Sequence, residues 1–216
     1  MFTRQNKNRL LYLLGAILLL IVLYPYLRGG MIQTALMNLL TSAILVISAY
    51  VLSYDKKPFI FALLLGIPAL ATTWMNMLFT THPFPYASYC FTIAFYFFTL
   101  FTILAYVLKS NKVTAEEIYG VICVYLLIGI TWGMLFSLTE ELHPGSFKTA
   151  HGSLEWPDFM YFSFTTLTTA GYGDIVPSTA RAQSLSVLEM IIGVLYVAVL
   201  VARLVSLYGG KKHNGL

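Results

Sequence analysis

Charged residues are scarce in this sequence of 216 residues: Asp, Glu, Lys and Arg make up 10% of it, whereas hydrophobic residues make up 58%. Soluble domains carry about 25% charged residues, so this chain lacks the charge that a water-facing surface needs. The shortage excludes a soluble enzyme, a disordered chain and a nucleic-acid-binding protein. Cysteine is scarce as well, and Cys90 and Cys123 both lie within apolar runs, which excludes a disulfide framework. The composition predicts an integral membrane protein.

Six apolar stretches are each long enough to cross a bilayer, whose hydrocarbon core needs about 20 helical residues. They cover residues 10–27, 31–54, 58–79, 87–108, 115–138 and 182–207. A shorter apolar run, Phe159 to Leu167, is followed by a segment with two glycines. This pattern predicts a re-entrant helix and loop, which a membrane tolerates only where protein or water surrounds the backbone. The predicted fold class is an all-α membrane protein with six transmembrane helices and one re-entrant helix.

Basic residues are divided unequally between the two sides that six spans define. The side of the two termini would hold Arg4, Lys7, Arg9, Lys56, Lys57, Lys109, Lys112, Lys211 and Lys212. The other side would hold Arg28, Lys148 and Arg181. Because cytoplasmic loops carry the excess of Lys and Arg, both termini are expected in the cytoplasm. The segment from Tyr24 to Arg28 offers no small-residue cleavage site, so the first helix is expected to remain uncleaved.

The most specific motif lies between the re-entrant helix and the last span, where residues 165–174 read TTLTTAGYGD. It resembles the filter of the potassium-channel family, T-x-G-Y-G followed by an acid. The expected filter residues are Thr168, Thr169, Ala170, Gly171, Tyr172, Gly173 and Asp174. The resemblance extends from the fifth span to the end of the sixth. It implies a homotetramer, because one chain supplies one filter segment of a fourfold ring.

The resemblance also implies what these residues do. Backbone carbonyls of Thr169, Ala170, Gly171 and Tyr172, with the Thr169 hydroxyl, would replace the hydration shell of potassium ions. Gly171 and Gly173 would supply the backbone freedom that this arrangement requires. No organic cofactor is expected.

The side chains of Tyr172 and Ala170 lead to two further predictions about the filter. Tyr172 would point away from the axis and brace the filter against Tyr161 or Phe162. Ala170 stands where valine or isoleucine is common in the family. Less side chain then packs behind the filter, so we expect a softer filter with inactivation or imperfect selectivity.

The last span carries three further candidate features. Gly193 lies 20 residues after Gly173, where the family has a hinge glycine, although close helix packing is the alternative. Glu189 is the only acid well inside a span, and such a group usually faces a partner in the bundle interior. We expect it near Thr165 or Thr166, in a buried hydrogen bond that braces the pore. The valines that recur at helical spacing, expected to line a cavity or gate, are Val194, Val197, Val201 and Val205.

The fourth span, residues 87–108, contains no arginine. A voltage sensor needs several, because moving one charge across the membrane yields only about 2.3 kcal/mol per 100 mV. The sequence therefore predicts weak or absent voltage gating. We expect a four-helix region in residues 1–112, a pore domain in residues 113–208 and a short cytoplasmic tail in residues 209–216, too short for a soluble gating domain. The small-x-x-x-small face of Gly129 and Gly133 is expected to pack against the inner helix.

The sequence thus predicts a potassium-selective channel in the plasma membrane that passes ions passively, and not an enzyme. A non-selective monovalent cation channel is the nearest alternative, because of Ala170. Two alternatives come from other classes: a potassium transporter subunit, and a membrane enzyme or receptor that binds its ligand in the first four helices. The bilayer and three further copies of the chain are the expected partners, and no nucleic acid is expected.

Overall fold

The computed structural model describes residues 8–27, 29–78, 86–110, 114–149 and 152–213, with side chains up to Arg203. Within these ranges the α-helices are α1 (Arg9–Leu23), α2 (Met31–Leu52), α3 (Lys56–Leu78), α4 (Ala87–Lys109), α5 (Ala115–Leu142), α6 (Trp156–Leu167) and α7 (Ala180–His213). All of them except α6 are long and apolar enough to cross a membrane. This finding and the composition indicate a multi-pass helical membrane protein. Arg4, Lys7, Arg28 and Lys112, and the side chains of Val205, Lys211 and Lys212, lie outside the description.

The first four helices pack in sequence, each against the next, and α1 and α4 both pack against α5. A single buried apolar cluster joins α1 to α5 and reaches α6. Since lipid tails are as apolar as leucine, tight helix contacts in a membrane depend on small residues that let backbones approach. Gly120 of α5 is such a residue, because a Cβ there would lie 2.9 Å from Val107 of α4.

Helices α5 and α6 each begin with a capping box, in which two side chains satisfy two of the free backbone N–H groups at the start of the helix. The Thr114–Glu117 pair begins α5 at Ala115, the residue at which the predicted fifth span also begins. The box of Glu155 and Asp158 at α6 was missed, because a glutamate is an uncommon residue at the N-cap position. It begins α6 at Trp156, one residue before Pro157.

The all-α prediction missed one element, a short antiparallel ribbon of β1 (Phe147–Thr149) and β2 (Ile175–Pro177). A hydrogen bond of 2.8 Å from the N–H of Ser178 to the carbonyl of Ser146 extends it. Three residues per strand give too little alternation to reveal strands in the sequence. The ribbon ties the segment after α5 to the segment that directly follows Asp174.

Candidate functional site

The segment after α6 is held to the end of that helix by backbone hydrogen bonds. The N–H of Thr168 donates to the carbonyl of Phe164 at 3.1 Å, and the N–H of Thr169 donates to that of Thr166 at 2.9 Å. The N–H of Gly171 then reaches back to the carbonyl of Thr165 at 3.1 Å. The chain therefore reverses its direction and runs back along α6. Thr165 contributes its backbone to this support, while its hydroxyl bonds Phe162 within α6 at 2.9 Å.

The backbone of this segment alternates in the sign of φ. Thr169, Gly171 and Gly173 have φ of 58°, 50° and 80°, whereas Ala170 and Tyr172 between them have negative φ. Thr169 is the one non-glycine residue with positive φ in the described part of the chain. A Cβ added at either glycine would meet no atom of the chain within 4 Å. Glycine is therefore favoured there by backbone conformation and not by lack of space.

The carbonyls of residues 169–173 accept no backbone hydrogen bond within the described ranges. All residues from 168 to 174 are also exposed on the single chain. Most backbone carbonyls in proteins are satisfied by backbone, side chain or water. A run of five free carbonyls on an exposed segment is thus available to a ligand.

The ring of Tyr172 stacks on Tyr161 of α6, with centroids 6.3 Å apart and planes 9° apart. Of the two predicted neighbours, Tyr161 makes the contact, whereas Phe162 lies in a buried aromatic cluster with Phe136 and Phe147. Partial burial and then the interaction with Asp174 raise the pKa of Tyr161 to about 12. Tyr161 therefore stacks on Tyr172 before Gly173 and interacts with Asp174 after it.

Glu189 of α7 is fully buried, and its Oε1 lies 2.5 Å from the Oγ of Ser163 in α6. The same Oγ lies 2.7 Å from the carbonyl oxygen of Gly129 in α5. The sequence analysis expected a buried hydrogen bond near Thr165 or Thr166, and in the structure the partner of Glu189 is Ser163. The position of Glu189 along α7 can be read from the sequence. Which residue of α6 faces it depends on how α6 is rotated about its own axis.

Gly193, one turn after Glu189, packs directly against the end of α6. A Cβ at this position would lie 2.0 Å from the carbonyl oxygen of Leu167. The structure thus gives Gly193 a packing contact, and its role as a hinge stays a prediction. Beyond it, Val194, Val197 and Val201 are each about half exposed on the single chain, at 55%, 48% and 52%.

Two glycines of α5 contact a different helix from the one that the sequence analysis expected. Gly129 and Gly133 face Phe164 and Met160 of α6, so the prediction that they pack against the inner helix is wrong.

Arg203 of α7, which the sequence analysis did not select, donates to the carbonyl of Leu108 at 3.0 Å and to that of Ser110 at 2.6 Å. Those two carbonyls belong to the end of α4 and the residue after it. The last carbonyls of a helix lack partners within that helix, and a nearby basic side chain often donates to them. This rule could have pointed to Arg203.

Comparison with known proteins agrees with this geometry. Residues 120–209 match a family described as "Ion channel". Two curated relatives are each 35% identical over 83 residues, which cover 38% of this chain. They are Two-pore potassium channel 4 of Arabidopsis thaliana, of which 28% is covered, and Two pore potassium channel c of Oryza sativa subsp. japonica, of which 17% is covered. The chain thus spans less than a third of either relative.

The matched region contains α6 and the exposed segment after it, together with most of α5 and most of α7. For this region of the chain the match suggests an ion channel. Both relatives are named as potassium channels, and each is similar to 38% of this chain.

Proposed function

We propose that this protein is a potassium-selective channel that conducts K⁺ passively across the plasma membrane, with both termini in the cytoplasm. Potassium ions would bind to the backbone carbonyls of Thr169, Ala170, Gly171 and Tyr172 and to the Thr169 hydroxyl. Residues 168–174 would form the selectivity filter. The observation that carries the proposal is the run of free carbonyls on a backbone whose φ alternates in sign.

The physical reason lies in how carbonyls are oriented. In an extended strand, successive carbonyls point to opposite sides, whereas an alternation of φ sign lets them turn to the same side. A potassium ion gives up its water only where several oxygens replace it. The carbonyl end of α6 also carries partial negative charge, which favours a cation near Leu167 and Thr168.

The exposure of this segment supports a homotetramer. Lipid could cover an apolar helix face, but free carbonyls in hydrocarbon would each cost several kcal/mol (on the order of the loss of a hydrogen bond). Four chains around one axis would bring four such segments together, and the ions between them would satisfy the carbonyls. The apolar face of α7 would then line the conduction path below the filter.

In this arrangement Val194, Val197, Val201 and Val205 would line the inner cavity and its gate, which could close by dewetting. Opening by a bend at Gly193 would have to break the contact with Leu167. The absence of arginine from residues 87–108 supports gating that is weakly dependent on voltage or independent of it. Helices α1–α4 would then form a collar on a pore domain of residues 113–208.

The test is the reversal potential of purified protein in a planar bilayer, with potassium on one side and sodium on the other. A reversal near the potassium equilibrium potential is expected. Gly171→Ala should abolish selective current, because alanine at φ of 50° costs about 1–2 kcal/mol per chain and displaces the carbonyls. Gly152→Ala is the matched control: its φ is 85°, it also has nothing within 4 Å, and it lies outside the segment.

A non-selective cation channel is the second candidate, and the small side chain of Ala170 favours it. A reversal near zero with measurable current would select this candidate. Equal currents from the Gly171→Ala and Gly152→Ala variants would contradict both, because neither kind of channel should tolerate a displaced filter.

A further inference from the structure

Glu189, Ser163 and Gly129 form one buried chain of contacts across α7, α6 and α5. The Ser163 Oγ lies 2.5 Å from Glu189 Oε1 and 2.7 Å from the carbonyl oxygen of Gly129. Both distances are those of O–H···O hydrogen bonds. Ser163 and Glu189 are each 0% exposed, so water does not replace either contact on the single chain.

Counting protons decides the charge of this carboxyl. A serine hydroxyl has one proton and therefore donates one hydrogen bond. The carbonyl of Gly129 has no proton, so it can only accept the one from Ser163. If that bond forms, the contact between Ser163 and Glu189 needs a proton from Glu189. An ionised Glu189 would leave one of the two short contacts as a pair of acceptors facing each other.

The surroundings of the carboxyl lead to the same conclusion. The second oxygen, Oε2, is buried and has no hydrogen-bond partner. Within the described residues, Ser163 is the one hydrogen-bond partner of the Glu189 carboxyl, and no basic side chain pairs with it. On α5 the titratable group that interacts with it is Tyr125, an acid that adds no positive charge. An unpaired buried carboxylate is far more costly than a neutral carboxylic acid with one free oxygen.

We propose that Glu189 is a protonated positioning residue, whose proton completes a chain from Glu189 to Ser163 to the carbonyl of Gly129. This proposal deepens the proposed function and rests on it only for its effect on conduction. Ser163 lies two residues before Thr165, whose carbonyl holds the N–H of Gly171. Glu189 and Gly193 then attach α7 to α6 at two successive turns, directly behind the filter. Loss of the proton would leave one of the two contacts without a donor, so α6 would lose its hydrogen bond either to α7 or to α5.

Infrared spectroscopy of the full chain in lipid nanodiscs tests the protonation without any need for conduction. The spectrum of wild type minus that of Glu189→Gln at neutral pH should show the C=O band of a carboxylic acid. Glu141→Gln, which alters an exposed glutamate, is the matched control and should show no such band. Ser163→Ala should shift the band, because it removes the acceptor of the Glu189 proton. Carboxylate bands alone in the Glu189→Gln difference, or no shift in Ser163→Ala, would overturn the proposal.

The second experiment measures potassium flux into vesicles as a function of pH. A residue with a merely structural role would not change this pH dependence. Wild-type flux should fall over the same alkaline range in which the acid band disappears. Glu189→Gln should keep its flux and lose this fall, because its amide donates to Ser163 at every pH. A parallel fall in both proteins would overturn the positioning role. Flux that is absent from every variant while the acid band is present would refute the channel and leave the protonation standing.

Discussion

Replacing Gly193 by alanine should destabilise the protein, although alanine is normally the better residue within a helix. The new Cβ would lie 2.0 Å from the carbonyl oxygen of Leu167, whereas real Cβ atoms essentially never come within 3.0 Å of such a neighbour. Because the clashing atom belongs to the backbone of α6, no side-chain rotation relieves it. Helices α6 and α7 must therefore separate by about 1 Å, well beyond what a close-packed interior absorbs freely.

This separation of α6 from α7 lowers the free energy of unfolding, by an amount that can be estimated from the structure. Overpacking of this kind costs about 1–3 kcal/mol per chain. A displacement of about 1 Å would also stretch the contact of 2.5 Å between Ser163 and Glu189 to the limit of a hydrogen bond. We expect a lower unfolding temperature, by roughly 2–4 °C for each kcal/mol in a chain of this size, and reduced current, since α6 carries the filter.

Gly15 offers a matched control, because it lies inside α1 and a Cβ there would meet nothing within 4 Å. Gly15→Ala should leave the protein unchanged or stabilise it by up to about 0.5–1 kcal/mol, the usual gain of alanine over glycine in a helix. The assay is thermal unfolding of purified protein followed by tryptophan fluorescence, with bilayer current as the second readout. If Gly193→Ala were as stable and as active as Gly15→Ala, α7 would not lie against Leu167 as described.

Two further predictions concern the filter segment. Ala170→Val should sharpen selectivity for potassium over sodium by on the order of tenfold, because two added methyl groups at about 0.8 kcal/mol each would pack behind the filter; an unchanged reversal potential would show that Ala170 has no such role. Tyr161→Phe should shorten the lifetime of the conducting state, because it removes the hydroxyl through which Tyr161 interacts with Asp174. Since the pKa of Tyr161 is raised from 10.0 to about 12, its stabilisation is complete below pH 10 and is lost as pH rises towards 12. Ultraviolet titration of wild type against Tyr161→Phe checks this, and a tyrosine that ionises at its ordinary pKa would contradict it.

The sequence by itself determined the features that depend only on residues close together along the chain. Six membrane-length helices follow from apolar runs whose length and hydropathy are local properties. The capping box at Thr114 and the glycines at positions 171 and 173 are local as well, because each satisfies a backbone requirement within a few residues. The contact of Tyr172 with α6 followed from the resemblance of residues 169–174 to a known filter motif.

The tertiary structure decided which helix faces meet. Glu189 was expected to have a partner on α6, but only the rotation of α6 against α7 selects Ser163. The same rotation turns Gly129 and Gly133 towards α6, and only the position of α4 beside α7 gives Arg203 its carbonyl partners. The angle and register between two helices arise from the packing of all their side chains at once. A stretch of sequence therefore shows how deep a residue lies in the membrane, whereas the fold selects the residue that it touches.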